Sequence, residues 1–148
     1  MGTQKYTFEL KNDLSELKAL HQHLKNWGEA TGLSDDCISQ INICLDELLT
    51  NIVSYGFKDD LEHRIKFTFN ADSNLLIISI EDDGIPFNPL EKDPEIPVDV
   101  DNAKIGGLGI HIIKKLMDDI CYERKQGKNK LTIIKLIQEK LERRGCNP

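Results

Sequence analysis

A glycine-rich stretch before an apolar run is the first feature of this sequence that could do chemistry. Gly106, Gly107 and Gly109 come directly before apolar residues with helical spacing. Those residues are Ile110, Ile113, Leu116, Met117 and Ile120. Glycines let the backbone approach a phosphate closely. The first N–H groups of a helix have no intrahelical acceptor and can donate to an anion, and the helix dipole also favours negative charge at this end. The pattern indicates an anion site, although a tight turn before a packed helix gives the same spacing.

Three polar residues interrupt apolar patterns elsewhere in the chain. Glu47 and Asn51 lie four residues apart, one helical turn, beside an apolar stripe. Asp82 ends a predicted strand on the face that carries Ile78 and Ile80. A carboxylate directed at a core costs free energy unless it is paired. Each residue alone also has an ordinary structural explanation, a solvated helix face for the first two and a turn-starting acid for Asp82.

The order of three short motifs is more specific than any one of them. The motifs are ELLTN at 47–51, DDGIPF at 82–87 and GGLG at 106–109. With these gaps the chain resembles the GHKL (histidine kinase-like) ATPase fold, shared by gyrase, histidine kinases and mismatch-repair proteins, over nearly its whole length. It resembles in particular the small anti-sigma-factor serine/threonine kinases of bacteria. The sequence motifs typical of those kinases also include the G-x-N-x-L at 127–131.

The resemblance implies roles for individual residues. Glu47 matches the family's general base, and Asn51 matches the asparagine that binds Mg²⁺, for which an amide oxygen is a suitable hard ligand. Asp82 matches the aspartate that accepts the adenine amino group, and residues 88–104 match the ATP lid. The other implied nucleotide-binding residues are Gly84, Phe87, Lys104, Gly106, Gly107, Leu108 and Gly109.

The activity implied by the resemblance is transfer of the γ-phosphate of ATP to a serine of an anti-anti-sigma protein. Glu47 would orient or deprotonate that serine, while Mg²⁺ and the helix N-terminus neutralise phosphate charge. One departure from the family is the lid, where Lys92 and Lys104 are the only basic residues. The implied partners are the serine-bearing anti-anti-sigma protein, a sigma factor, and a second copy of the chain in a homodimer. Trp27, at the end of the first helix, is expected to be hard to bury and to belong to the homodimer contact.

Two alternatives remain open. A module that binds ATP and sequesters a partner without transferring phosphate would share every motif. A histidine-kinase catalytic domain is less favoured, because a predicted strand starts the chain and the motif around Asn51 lacks the longer form that those domains have.

The elements that must position these motifs follow the order β-α-α-β-β-loop-α-β-β. The predicted strands cover residues 5–10, 64–70, 75–82, 121–125 and 130–137, with the last turn at 127–129. Helices are predicted to begin near Asp13 and after Ser34, which suits an N-cap. Paired strands separated by helices predict an α+β, two-layer sandwich, with helices on one face of a mixed, mostly antiparallel sheet. We expect a single domain at 1–140 and a charged tail at 141–148.

Composition narrows the class of protein further. The chain has 148 residues, a net charge of −6, 39% apolar and 30% charged residues. These values are typical of a globular domain and argue against a nucleic-acid surface. No apolar run approaches the ~18 residues of a membrane span, and the polar start indicates no signal peptide. The four cysteines lack C-x-x-C spacing, so we expect no zinc site, no disulfide framework and a cytoplasmic location.

Overall fold

The computed structural model describes residues 4–72, 74–89 and 107–137. The strands are β1 (Gln4–Lys11), β2 (Arg64–Ala71), β3 (Leu75–Asp82), β4 (Asp119–Lys125) and β5 (Lys128–Leu136). The helices are α1 (Leu17–Thr31), α2 (Asp35–Tyr55) and α3 (Gly107–Leu116). The strands form one sheet in the order β1-β2-β3-β5-β4, with every described neighbouring pair antiparallel.

One face of the sheet carries the core. Alternate residues of β2 and β3 are buried, and the register places Phe67 opposite Ile80 and Phe69 opposite Ile78. Leu131 on β5 extends the same rows, since it lies opposite Ile80. A period of two directs these side chains to one side of the sheet, where they join the buried residues of the helices. This confirms the predicted α+β sandwich with helices on one face, and the described sheet is antiparallel rather than mixed.

The two helices before β2 begin in different ways. The Ser34 side chain accepts a hydrogen bond from the backbone N–H three residues later, so α2 starts where the sequence predicts. Gly56 is its C-cap. Asp13 instead caps a 3-10 turn at Leu14–Glu16, and α1 starts only after this turn. The first helix therefore begins later than the capping signal suggests.

The third helix is shorter than its apolar run suggests. Ile110 and Ile113 are buried on α3, but the helix ends at Leu116. Ile120 lies in β4, opposite Ile133 of β5, so its assignment to the helix was wrong. Spacings of three and four residues continue across the helix end by coincidence, because the next strand also directs an apolar residue to the core.

The β4–β5 hairpin turns earlier than predicted. Gln126 and Gly127 form the turn, both with positive φ, 54° and 77°. Such two-residue turns match the twist of the flanking strands. Strand β5 therefore begins at Lys128, and Asn129 lies within the strand, opposite Asp82, instead of in the turn. This difference places a second polar residue beside the candidate site.

Two expectations about surfaces have different outcomes. Trp27 is 8% exposed, and its ring lies 5.3 Å from that of Phe69, so the expectation that it is hard to bury was wrong. The homodimer loses this support and stays a prediction.

Within the described ranges, no helix is long and apolar enough to cross a membrane. The cytoplasmic location, the domain at 1–140 and the tail at 141–148 stay predictions, and the tail lies outside the described residues.

Candidate nucleotide-binding site

Helix α2 carries the first two predicted site residues on one face. The side-chain amide of Asn51 donates to Oε2 of Glu47 at 3.4 Å. Asn51 is 4% exposed, whereas Glu47 is only partly buried. Because the amide nitrogen faces the carboxylate, the amide oxygen is the atom that a cation could use. The pair therefore combines an oriented carboxylate with a buried amide oxygen that can ligate a cation.

Asp82 lies at the end of β3 on the buried face of the sheet and is 5% exposed. Its Oδ1 accepts from the backbone N–H of Gly84 at 2.8 Å and from Nδ2 of Asn129 at 2.9 Å. Burial raises the pKa of the Asp82 carboxyl, and these two hydrogen bonds oppose the rise. Both hydrogen bonds fall on Oδ1, so Oδ2 is the oxygen that suits the amino group of a base.

The turn after Asp82 passes too close to the end of α2 to allow a side chain. A Cβ added at Gly84 would lie 2.1 Å from the carbonyl oxygen of Gly56. The N–H of Ile85 donates to that same carbonyl at 2.8 Å. Since Gly56 caps α2, this contact ties the turn to the helix that carries Asn51.

Asn129 organises the same turn from the neighbouring strand. It is 5% exposed, and its amide nitrogen donates to Oδ1 of Asp82 and, at 2.8 Å, to the carbonyl of Ile85. Its oxygen accepts from the N–H of Phe87 at 3.3 Å and from the hydroxyl of Tyr122. One buried amide therefore fixes the carboxylate of Asp82 and the backbone at Ile85 and Phe87.

Asn129 lies in the G-x-N-x-L at 127–131, but that motif gave it no role, because the residue was assigned to the hairpin turn. With the turn at 126–127, strand alternation places Asn129 on the face of Leu131, where a buried amide must find partners. Arg124 of β4 was also missed, and its Nη1 donates to the carbonyl of Gly84 at 2.8 Å. No sequence pattern marks Arg124, since an exposed charge in a hairpin is ordinary.

The start of α3 carries the third group of predicted site residues. Gly107, Leu108 and Gly109 form its first turn, whose N–H groups have no intrahelical acceptor and suit an anion. The helix packs against α2. At its other end, Nζ of Lys135 donates to the carbonyl of Leu116 at 2.8 Å. A cation at this end complements the helix dipole and anchors the helix to β5.

Two groups of predicted residues meet at the end of α2, namely the turn after Asp82 and the helix that carries Glu47 and Asn51. The ring of Phe87 lies 6.1 Å from that of Tyr55, the last residue of α2, which gives the turn a second contact with this helix. Lys104 and Gly106 lie outside the described residues, as do residues 90–104 of the predicted lid. Their roles stay predictions.

Comparisons with known proteins agree with this arrangement. Residues 10–135 match the family model of the histidine kinase-like ATPase domain. The serine-protein kinase RsbW of Bacillus thuringiensis is 32% identical over 122 residues, which cover 79% of this chain and 75% of that protein. The serine/threonine-protein kinase BtrW of Bordetella bronchiseptica is 30% identical over 94 residues, covering 63% of this chain and 66% of that protein.

Solved structures show the same fold at lower identity. The RsbU and RsbW domains of a Mycobacterium tuberculosis protein align with a TM-score of 0.61 and 15% identity, covering 90% of this chain and 32% of that one. The SiaB–SiaC complex of Pseudomonas aeruginosa gives a TM-score of 0.56 and 11% identity, covering 89% of each chain.

The sheet, the buried aspartate turn and the glycine-initiated helix are those of an ATP-binding domain of the histidine kinase-like class. The chain belongs to the histidine kinase-like ATPase domain family and, within it, to the serine-protein kinases of the RsbW kind. The resemblance to the anti-sigma-factor kinases and the predicted class of enzyme, an ATP-dependent protein serine kinase, are thereby confirmed.

Proposed function

We infer that this chain binds ATP together with Mg²⁺ and phosphorylates a serine of an anti-anti-sigma-type protein. The observation that carries the inference is the connected site: Asp82 and Gly84 in a turn that the end of α2 holds beside the helix of Glu47 and Asn51. Nucleotide binding and phosphoryl transfer need the adenine base, the phosphates and the acceptor hydroxyl to be aligned. The contact between this turn and α2 supplies a fixed arrangement for that alignment.

Base recognition rests on Asp82. Its Oδ2 accepts from the amino group of adenine, while glycine at position 84 lets the turn lie against the end of α2, because a Cβ there would meet the carbonyl oxygen of Gly56. Guanine would present a carbonyl oxygen at this point, and two acceptors repel each other. The site therefore favours ATP over GTP.

The residues present fit a bound Mg²⁺. Asn51 offers a buried amide oxygen, and among the described residues no group of three or more His, Cys, Asp or Glu could hold a metal ion. The cation would therefore depend on phosphate oxygens and water, which is the usual way that proteins bind Mg²⁺. When bound, it supplies neutralisation of the phosphate charge. The first turn of α3 adds N–H donors for the same phosphates.

Glu47 acts on the partner's serine. Its Oε2 is oriented by Asn51, and the carboxylate accepts the hydroxyl proton as the serine oxygen bonds to the γ-phosphorus and ADP leaves. The partner must therefore dock over the exposed side of Glu47. A sigma factor as a further partner and a homodimer of this chain belong to the same proposal through the family resemblance.

Calorimetry on the wild-type protein tests the nucleotide half of this proposal. ATP is expected to bind more tightly than GTP, by about 1–3 kcal/mol, because one charged acceptor must otherwise face an oxygen. Chelation of Mg²⁺ is expected to weaken ATP binding, since Asn51 then loses the cation that links it to the phosphates. Equal affinities for ATP and GTP would contradict the role of Asp82.

A further inference from the structure

His63 lies between the segment after α2 and the turn that holds Asp82. Its Nε2 is 2.8 Å from Oδ1 of Asp59, and its Nδ1 is 2.9 Å from Oδ1 of Asp83. The side chain is 17% exposed, and its ring stacks on Phe57 with 4.5 Å between centroids. Asp83 directly follows Asp82, so the ring contacts the same turn that Asn129 contacts.

The backbone of His63 is also fixed, and by a different part of the fold. Its N–H donates to Oδ1 of Asn12 at 2.9 Å, and its carbonyl accepts from the N–H of Asn12 at 3.1 Å. Asn12 directly follows β1, at the far edge of the sheet from β4. The backbone that carries the ring is therefore fixed by contacts outside the nucleotide site.

The two contacts of the ring require a particular protonation state. A carboxylate oxygen only accepts, and a neutral imidazole donates from one nitrogen, whereas the imidazolium donates from both. Two ring nitrogens at hydrogen-bonding distance from two carboxylates are the arrangement of the cation. The hydrogen bond to Asp59 raises the pKa of His63 most strongly, partial burial opposes it, and Asp83 raises it further. The same bond lowers the pKa of Asp59.

The other charges near the ring largely balance. His63 lines a shallow cavity with both signs of charge, and Asp82 in this cavity is already hydrogen-bonded to Gly84 and Asn129. The other charged residues of the cavity, besides Asp83, are Glu9, Glu62, Arg64, Lys66, Glu81 and Lys128. Three acids and three bases leave no net formal charge among them, so Asp59 and Asp83 dominate the field at the ring.

We propose that protonated His63 is a positioning residue that clamps the base-binding turn, by joining Asp83 to Asp59 and so holding Asp82 and Gly84 in place for adenine. The inference rests on the proposed function, because it requires that this turn binds the nucleotide base. When the ring loses its proton, one of the two carboxylates loses its donor and the ring no longer joins Asp83 to Asp59. The turn then keeps its contacts with Gly56 and Tyr55 at the end of α2 but loses the link to Asp59.

The sign of the pH dependence follows from the raised pKa. The clamp is fully formed below the ordinary histidine pKa of about 6.5 and is lost as the pH rises through the higher pKa of the folded protein. Nucleotide affinity falls over the same interval. By linkage, bound nucleotide raises the pKa of His63 further.

Calorimetric titration of the Mg²⁺-bound ADP complex into wild type, His63→Gln and His21→Gln, from about pH 6 to about pH 8.5, tests the clamp. His21 is the matched control, because it is also a histidine beside a carboxylate, with its Nε2 2.5 Å from Oδ1 of Asp46. This pair joins α1 to α2 and does not include the base-binding turn. The ionisation of ADP itself is common to all three proteins, so differences between them isolate the histidine. The Kd of the wild type and of His21→Gln is expected to rise with pH, up to about tenfold per unit by which ADP raises the pKa of His63. His63→Gln is expected to lack this rise.

A second variant separates the link to the turn from the folding of the protein. Asp83→Asn leaves His63 paired with Asp59, so the ring still titrates, but the coupling between its proton and ADP is expected to disappear. The ring signals of His63 in NMR spectra, with and without ADP, measure this coupling directly. Equal pH dependence in wild type and His63→Gln, or a His63 pKa that ADP does not change, would overturn the clamp alone. Failure of wild type to bind ADP at any pH would overturn the proposed function, and the clamp with it.

Discussion

Glu47→Gln is expected to bind ATP with Mg²⁺ as the wild type does and to phosphorylate its partner about 10²-fold more slowly or worse. Glutamine has the same size, and its amide oxygen can still accept from Asn51, so the local geometry is kept. It cannot accept a proton from the serine hydroxyl. Calorimetry measures the binding, and the rate of phosphoserine formation at saturating ATP measures the chemistry.

Two further variants show whether the slower transfer is specific to Glu47 as the general base. Glu29→Gln removes an exposed carboxylate of α1 and should leave both binding and transfer unchanged. Asn51→Ala should instead weaken the Mg²⁺-dependent binding of ATP, because it removes the amide oxygen. A Glu47→Gln protein that phosphorylates at the wild-type rate would show that the carboxylate does not act as the base.

Asp82→Asn is expected to weaken ATP binding by about 1–3 kcal/mol, the range for a hydrogen bond to a charged group. The surroundings dictate how the new amide must lie. Gly84 and Asn129 both donate to Oδ1, so the amide oxygen takes that position and the amide nitrogen replaces Oδ2. A donor then faces the amino group of adenine, whereas the carbonyl oxygen of guanine could accept from it.

The preference for ATP over GTP should therefore shrink or reverse in Asp82→Asn, and competition calorimetry with the two nucleotides measures this change. Asp119→Asn, an exposed acid at the start of β4, is the control and should keep the wild-type preference. Unchanged ATP affinity in Asp82→Asn would mean that another group recognises the base.

Much of the fold could be predicted because its signals are local. The alternation in β2 and β3 shows which face is buried, and Ser34 and Gly56 define the ends of α2. The end of α3 could not be predicted in this way. The apolar spacing continues to Ile120, and only the pairing of β4 with β5 decides that this residue belongs to a strand.

The candidate site was predicted where a residue breaks its own local pattern, as Asp82 does on the buried face of β3. The residues that position it were missed, because their contacts join strands and loops that are far apart in sequence. Asn129 meets Asp82 only through the register of β3 and β5, and His63 meets Asp83 only through the path of the segment after α2. The motif identified Gly84, but the reason for a glycine there, the carbonyl of Gly56, is visible only in the structure.

The central claim is that this chain transfers phosphate from ATP to a serine of another protein, and measuring that transfer tests it most directly. The chain would be incubated with Mg²⁺ and γ-labelled ATP, together with a serine-bearing anti-anti-sigma-type protein from a neighbouring open reading frame. The proposed function predicts label on one serine of the partner, lost when that serine is replaced by alanine or when Mg²⁺ is chelated. ATP binding by the chain with no label on the bound partner would contradict phosphate transfer and would favour a module that sequesters its partner without modifying it.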